Sequence, residues 1–493
     1  MTGDRPDVVL VVMDTARADS VLGRPDVMPN LHRLAAEGVT YENAFTTAPW
    51  TLPSHASLFT GQRTTDHGAH ARTRRFDPSV PTLAERLGSA GYHTVAYSNN
   101  TWVSEEFGFD AGFDEFRVGW ELLPGGADLA AIAKGNDGTR ERLRAVLSEV
   151  DRDLPRTLVN ALYARTLRHS YDSGAWLTNA RMKRHLRDSE RPFFAFLNYF
   201  EPHLEYDPPA RYRERFLPAH LSAADLDRVN QNAWAYLTGA VTMTERDFDA
   251  LEALYRAELN YLDDRIGRLA AFLRERGTLD ETLFVVVGDH GENIGDHGMM
   301  DHQFCLYDTL LHVPLVVRYP PAFDPGTTTD ALVEVRDLLP TLLDACGLDA
   351  PTEETVSAHS VRPDATGTVP AREYVVAEYA APQPSIDVVR ERAADGPGGG
   401  EATPDALERF DRGLRCLRTT EWKYVEGTDG SEALYHLATD PGETEDVARA
   451  SPIRGELRAT LHRHHGDLSL PAGDAPAEPT ASARRRLEDL GYL

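Results

Sequence analysis

Residues 8–15 read Val8-Val9-Leu10-Val11-Val12-Met13-Asp14-Thr15. Six consecutive apolar residues, four of them valine, form a run without polar alternation. Such a run is a strand buried on both faces, the kind found inside a parallel sheet covered by helices. It stops abruptly at a carboxylate. Working outward, Thr94 to Ser98, Phe193 to Leu197, Leu283 to Val287 and Val313 to Arg318 read as further core strands. Helical stretches lie between them, at about Pro29 to Glu37 and Thr82 to Ala90. This rhythm predicts an α/β fold: a mostly parallel sheet sandwiched by helices.

Two segments break the rhythm. Gly119 to Glu190 is polar and helical and reads as an insertion over the sheet. Asp387 to Arg409, with its Gly-Pro-Gly-Gly-Gly run, reads as an exposed loop. Beyond it, Leu414 to Glu426 and Ala433 to His436 suggest short antiparallel strands, and Ile453 to His465 a helix. The expected organisation is a catalytic unit over residues 1–380 and a smaller α+β subdomain over 410–493.

The chain has 493 residues and an ordinary hydrophobic content of 41%, enough for a large core. Its net charge of −27 is not ordinary, and the basic residues include only three lysines, Lys134, Lys183 and Lys423. An acidic surface poor in lysine suits a salt-rich cytoplasm, where the Debye length shrinks to about 3 Å at 1 M salt. A GC-rich genome that writes arginine for lysine is the alternative, and it leaves the acid excess unexplained. Either way the surface disfavours nucleic acid and anionic membranes as partners. Cys305, Cys346 and Cys416 form no close-spaced pair, so reduced thiols are expected. No secretory leader or bilayer-length apolar run is read, which points to a cytoplasmic protein. Oligomeric state is not legible.

Ligands of open α/β sheets bind beyond the carboxyl ends of the strands. Three strand ends here carry polar residues: Asp14-Thr15-Ala16-Arg17-Ala18-Asp19, Gly288-Asp289-His290-Gly291-Glu292, and Asn198-Tyr199-Phe200-Glu201-Pro202-His203. Each Asp could cap a following helix. Carboxylates and an imidazole at the first two of these ends also make a site for a divalent cation. Arg17 could pair with a bound anion or with Asp19. Thr51 lies where Ala48-Pro49-Trp50-Thr51-Leu52-Pro53 enters an apparent helix, with Pro53 in its first turn. Alone, Thr51 reads as a helix cap or as the first group to meet a tetrahedral anion at the helix start.

These motifs together resemble the sulfatase family of the alkaline phosphatase superfamily, from end to end. Asp14 to Asp19 is similar to the family's opening metal motif, and Pro49 to Gly61 to its signature. Gly288-Asp289-His290-Gly291-Glu292 with His297-Gly298 resembles the second metal motif. Tyr307-Asp308, Trp422-Lys423-Tyr424, Asp440-Pro441-Gly442-Glu443 and Leu490-Gly491-Tyr492-Leu493 resemble later elements. The resemblance implies an alkaline phosphatase-like fold and one divalent metal ion, held by Asp14, Thr51, Asp289 and His290. It also implies a sulfate or phosphate ester substrate, small or glycan. Thr51 would be the nucleophile, with His55, His203 and His302 serving the transferring group.

The departures are informative. Sulfatases oxidise a Cys or Ser to formylglycine where this chain has Thr51, and threonine cannot give that aldehyde because its β-carbon bears a methyl group. His55 replaces an arginine, Thr15 an aspartate, His290 an asparagine and His302 a lysine. That pattern looks more like the superfamily's phosphodiesterases, phosphonate monoester hydrolases and phosphotransferases. It favours manganese or zinc over calcium. A catalytically inactive binding protein that kept the fold is the reading from another class.

Overall fold

The computed structural model describes residues 5–122, 159–160, 173–188, 192–351, 358–363, 368–369, 372–389, 407–468, 479–489 and 492. Most of the expected insertion at Gly119 to Glu190, and of the expected loop at Asp387 to Arg409, therefore lies outside the described residues.

The main sheet is built from β1 (Asp7–Met13), β2 (Val39–Phe45), β3 (His93–Ser98), β4 (Glu115–Val118), β5 (Phe193–Tyr199) and β6 (Thr282–Gly288), with β9 (Leu315–Arg318) and β10 (Thr327–Glu334). A small ribbon of β7 (Asn293–Ile294) and β8 (Met300–Asp301) stands apart. The eight main strands run in the order β10-β2-β9-β6-β1-β5-β3-β4. All neighbours are parallel except β9, which pairs antiparallel with both β6 and β2. The sheet is thus mostly parallel, as the uninterrupted apolar runs predict. The last of those runs starts later than its composition suggests. Pro314 has no N–H to give a ladder, so the strand begins at Leu315.

Every residue of β1, β5 and β6 is buried. Side chains alternate across the strand. Val8, Leu10 and Val12 therefore enter one core, while Val9, Val11 and Met13 enter the other. Each such side chain contributes about 1.5–3 kcal/mol by leaving water, so β1 is pinned from both faces. The second core is closed by the 31-residue helix Glu245–Glu275, which buries Leu251, Leu254, Tyr255, Leu259, Leu262 and Ile266 along one side.

A second, antiparallel sheet follows, in the order β11 (Val375–Tyr379), β12 (Leu414–Arg418), β13 (Trp422–Gly427) and β14 (Glu432–His436). Its strand β11 lies before residue 380. The helix Ile453–His465 packs on this sheet through Leu457 and Leu461. The stretch Leu414 to Glu426 is two strands, because Thr419 turns the chain and its N–H donates to the Trp422 carbonyl. Among the described residues no helix is long and apolar enough to cross a membrane. The three cysteines are free and buried.

Candidate active site

Register brings the first two motifs together. Met13 pairs with Tyr199 on β5 and with Gly288 on β6, so Asp14 and Asp289 leave the sheet side by side. Thr15 then adopts φ +55°, a left-handed conformation that a β-branched residue takes only under constraint. The constraint is visible. The Tyr255 hydroxyl donates to the Thr15 carbonyl at 2.8 Å, and the Thr15 N–H donates to Asp289 Oδ1 at 3.2 Å. This turn fixes the two carboxylates against each other.

Trp50 is extended, and the helix Thr51–Thr60 starts at the next residue. All ten of its residues are buried, and Gly61 closes it in the left-handed region. Ser54 ties the helix to the second motif by donating to the Asp289 carbonyl at 2.7 Å. Thr51 Oγ1 consequently lies 3.3 Å from His290 Nε2 and accepts from Asn100 Nδ2 at 3.3 Å. The same amide donates to Asp14 Oδ2. His290 Nδ1 bonds the Gly291 carbonyl at 2.9 Å, which leaves the Nε2 lone pair facing the carboxylates. Asp14 Oδ1 is 3.6 Å and Asp289 Oδ2 3.4 Å from that nitrogen.

Asp14, Thr51, Asp289 and His290 thus share one buried spot. Asp14 Oδ1 and Asp289 Oδ2 have no hydrogen-bond partner among the described residues. Among the described residues, the basic groups in ion-pair range of these two carboxylates are His55 and His290. Burial keeps both neutral: it lowers His55 to about 4 and His290 well below its usual range. Burial also raises Asp14 to about 7, and burial together with the Asp14 charge raises Asp289 well above the ordinary carboxylate range. Two buried carboxylates without a cation carry a desolvation cost of several kcal/mol. Ligand atoms of Asp14, Asp289 and His290 lie within 4.8 Å of one another. Two carboxylate oxygens and an imidazole nitrogen suit a divalent cation, and these residues can hold one.

The other histidines of the sequence reading surround this spot. His55 is held at both nitrogens, by the Thr51 carbonyl at 2.9 Å and by Asn198 Nδ2 at 3.1 Å. His302 packs its ring 4.6 Å from that of His290. Its Nδ1 lies 2.7 Å from Asp301 Oδ1 and 3.6 Å from Glu292 Oε1. Burial opposes a charge on His302, but Asp301 and Glu292 outweigh it and raise the imidazole well above its ordinary range. Glu292, Asp301 and His302 also have metal-ligand spacing. Asp301 Oδ1 in that group also accepts from the His302 backbone N–H, so one of its oxygens is already engaged by the chain. His203 sits 5.1 Å from His302, ring to ring, and burial lowers it to about 3. Arg17 pairs with Asp19 and Asp296, each at 2.7 Å.

Sequence reasoning missed Asn100, Asn198, Glu292, Asp301 and Tyr492 as site residues. Asn100 stands two residues past the end of β3, so the strand-end argument extends to it. Asn198 is the penultimate residue of β5 and points to His55. Asp301 directly precedes His302 in the sequence, a signal available beside it, whereas only the tertiary fold brings Tyr492 to His302.

Comparison with known proteins agrees with this architecture. Residues 6–348 match the family model described as Sulfatase. The chain belongs to the sulfatase family and is an ester hydrolase of that family. It is 27% identical to the arylsulfatase of Clostridium perfringens over 385 residues, 70% of this chain and 76% of that protein. The multifunctional alkaline phosphatase superfamily protein PehA of Trinickia caryophylli is 26% identical over 389 residues, 70% of this chain and 75% of its own length. The solved phosphonate monoester hydrolase of Agrobacterium radiobacter superposes with a TM-score of 0.68 at 20% identity, covering 93% of this chain and 95% of that one.

Proposed function

We propose that this protein is a metal-dependent hydrolase of sulfate or phosphate esters that uses Thr51 as its nucleophile. One observation carries the reading. The Thr51 hydroxyl sits 3.3 Å from His290 Nε2, beside two buried carboxylate oxygens that have no hydrogen-bond partner among the described residues. Asp14, Asp289, His290 and Thr51 would hold one divalent ion. When bound, that ion supplies positive charge, which favours the Thr51 alkoxide and offsets charge on the ester. The imidazole favours manganese or zinc, with calcium the third candidate.

The chain's own residues would do the rest. Asn100 orients the Thr51 hydroxyl and Asp14 together. The Thr51 hydroxyl gives its proton to solvent water, and Oγ1 bonds to phosphorus or sulfur in line while the bond to the leaving oxygen breaks and that oxygen keeps the electron pair. His302, held as a cation by Asp301 and Glu292, offsets charge and is the proton source for the departing oxygen. His203 shares that side of the site. His55, engaged at both nitrogens, positions the Thr51 turn. Water then attacks the phospho- or sulfo-threonine and restores the hydroxyl.

The likeness to a phosphonate monoester hydrolase and to PehA, together with His290, supports phosphodiesters or phosphonates as the second substrate class. Small or glycan esters, a cytoplasmic setting and a halophilic host remain part of the proposal, the last supported by the −27 charge. Turnover of aryl sulfate and aryl phosphodiester substrates, with and without manganese, tests it. Loss of turnover in Thr51→Ala is the expected result; full activity in that variant contradicts the covalent scheme, and an inert, metal-free protein supports the binding-protein reading instead.

A further inference from the structure

The helix Ala481–Asp489 buries Ala483 and Leu487 in the main core, and the chain beyond it carries Tyr492 into the site. The Tyr492 N–H donates to the Leu487 carbonyl at 2.7 Å, and Gln383 Nε2 donates to the Tyr492 carbonyl at 3.2 Å. The ring is buried and lies edge-on to Trp102 at 5.6 Å. Its hydroxyl lies 2.7 Å from His203 Nε2 and 2.8 Å from His302 Nε2. A buried phenol with two imidazole partners and two backbone ties is fixed in place, and freeing it would expose a large apolar ring.

Donor counting gives the chain a direction. His203 Nδ1 bonds the Leu204 carbonyl, which can only accept, so that nitrogen carries the proton and Nε2 must accept. The phenol therefore donates to His203. Its single proton is then spent, and its oxygen must accept from His302 Nε2–H. On the far side of His302, Nδ1 lies 2.7 Å from the Asp301 carboxylate, a distance at which a bare lone pair would be repelled. The sequence of contacts runs Asp301, His302, Tyr492, His203, Leu204.

Resting on the ester-hydrolase reading above, we propose that Tyr492 is a further catalytic residue. Its hydroxyl, held between His203 and His302, turns its proton from His203 Nε2 to the departing oxygen. His203 and His302, the imidazoles on the leaving-group side in the proposed function, both have their Nε2 atoms engaged by this phenol, so proton delivery to that side passes through it. As the ester bond breaks, the departing oxygen keeps the bonding electron pair and takes the phenol proton. The phenolate oxygen takes the Nε2 proton of His302. The water that later attacks phosphorus or sulfur gives up the proton that restores the chain of donors.

Tyr492→Phe keeps the ring and removes the hydroxyl. With the melting temperature unchanged, kcat/KM should fall little for a 4-nitrophenyl ester, whose leaving group needs no proton. It should fall about a hundredfold for an alkyl ester, which needs one. Equal loss on both substrates would overturn the proposal, and so would a rise in turnover, which would make Tyr492 a plug. A second measurement is independent of turnover. In protein with 15N-labelled histidine, the variant should shift the imidazole resonances of His203 and His302; unchanged resonances would overturn the hydrogen-bond chain. Wild-type protein inert on every ester would instead count against the hydrolase reading, leaving the resonance test to decide the contact.

Discussion

Two buried acidic clusters stand on the same scaffold and are treated in opposite ways. Glu334 and Asp337, at the end of β10, are buried among guanidinium groups. Arg336 and Arg372 each approach Glu334 to 2.6 Å, and Arg372 also reaches Asp337 at 2.8 Å. Burial works against the Glu334 charge, but Arg336, Arg372 and Arg63 outweigh it and hold its carboxyl well below the ordinary range. Asp14 and Asp289 are as deeply buried, yet among the described residues they face each other with one oxygen apiece unpartnered, and the two imidazoles in ion-pair range, His55 and His290, are neutral. The first cluster completes its charge balance within the chain and is structural. The second lacks such partners among the described residues, and that difference supports the proposal that a cation and an ester meet there.

The largest test of this contrast is substitution at the unbalanced cluster. Thr51→Ala and Asp289→Asn should each lower turnover by about a thousandfold or more. Asp289→Asn should leave the metal-free protein at least as thermally stable as wild type, because it removes one of two repelling carboxylates. At the balanced cluster the pattern should invert. Arg372→Met leaves a buried carboxylate short of a partner and should cost about 3–5 kcal/mol in chemical denaturation, with turnover per folded molecule unchanged.

A smaller effect should come from Asn100, which touches both Asp14 and Thr51. Asn100→Ala should reduce metal affinity or activity about 10–100-fold, as the loss of groups that orient metal ligands does. The smallest effect is the pH dependence of stability, where the clusters should have opposite slopes. Asp14 rises from an ordinary 3.8 to about 7 in the folded, metal-free protein, so its contribution is present below 3.8 and lost as the pH rises toward 7. Glu334 is depressed below its ordinary 4.5, so its contribution is present above 4.5 and lost as the pH falls. Melting curves of metal-free wild type and Asp14→Asn should show a shallower first slope in the variant, where buried Asp289 still titrates high but Asp14 no longer does.

The contrast also explains what the sequence could disclose. Val8 to Met13 announces a strand buried on both faces by composition alone, and the carboxylate at its end announces a site. The same logic reaches Asp289 and His290, and it extends to Asn100 without further assumptions. Whether a buried acid is balanced depends on partners brought in by the fold. Glu334 and Arg372 are 38 residues apart, and Asp14 and Asp289 meet only because β1 and β6 pair in register. Tyr492 approaches His203 across 289 residues, which no local pattern encodes. The antiparallel β9 was hidden for a related reason, since a buried strand has the same apolar signature in either direction.

Metal content and turnover measured on the same samples test the central claim most directly. Purified wild-type protein should hold about one divalent ion per chain, lose its ester hydrolysis with that ion on chelation, and regain both when manganese or zinc is returned. Asp14→Asn and Asp289→Asn should hold none. Undiminished hydrolysis in the fully chelated protein, or full metal occupancy in both variants, would contradict the account.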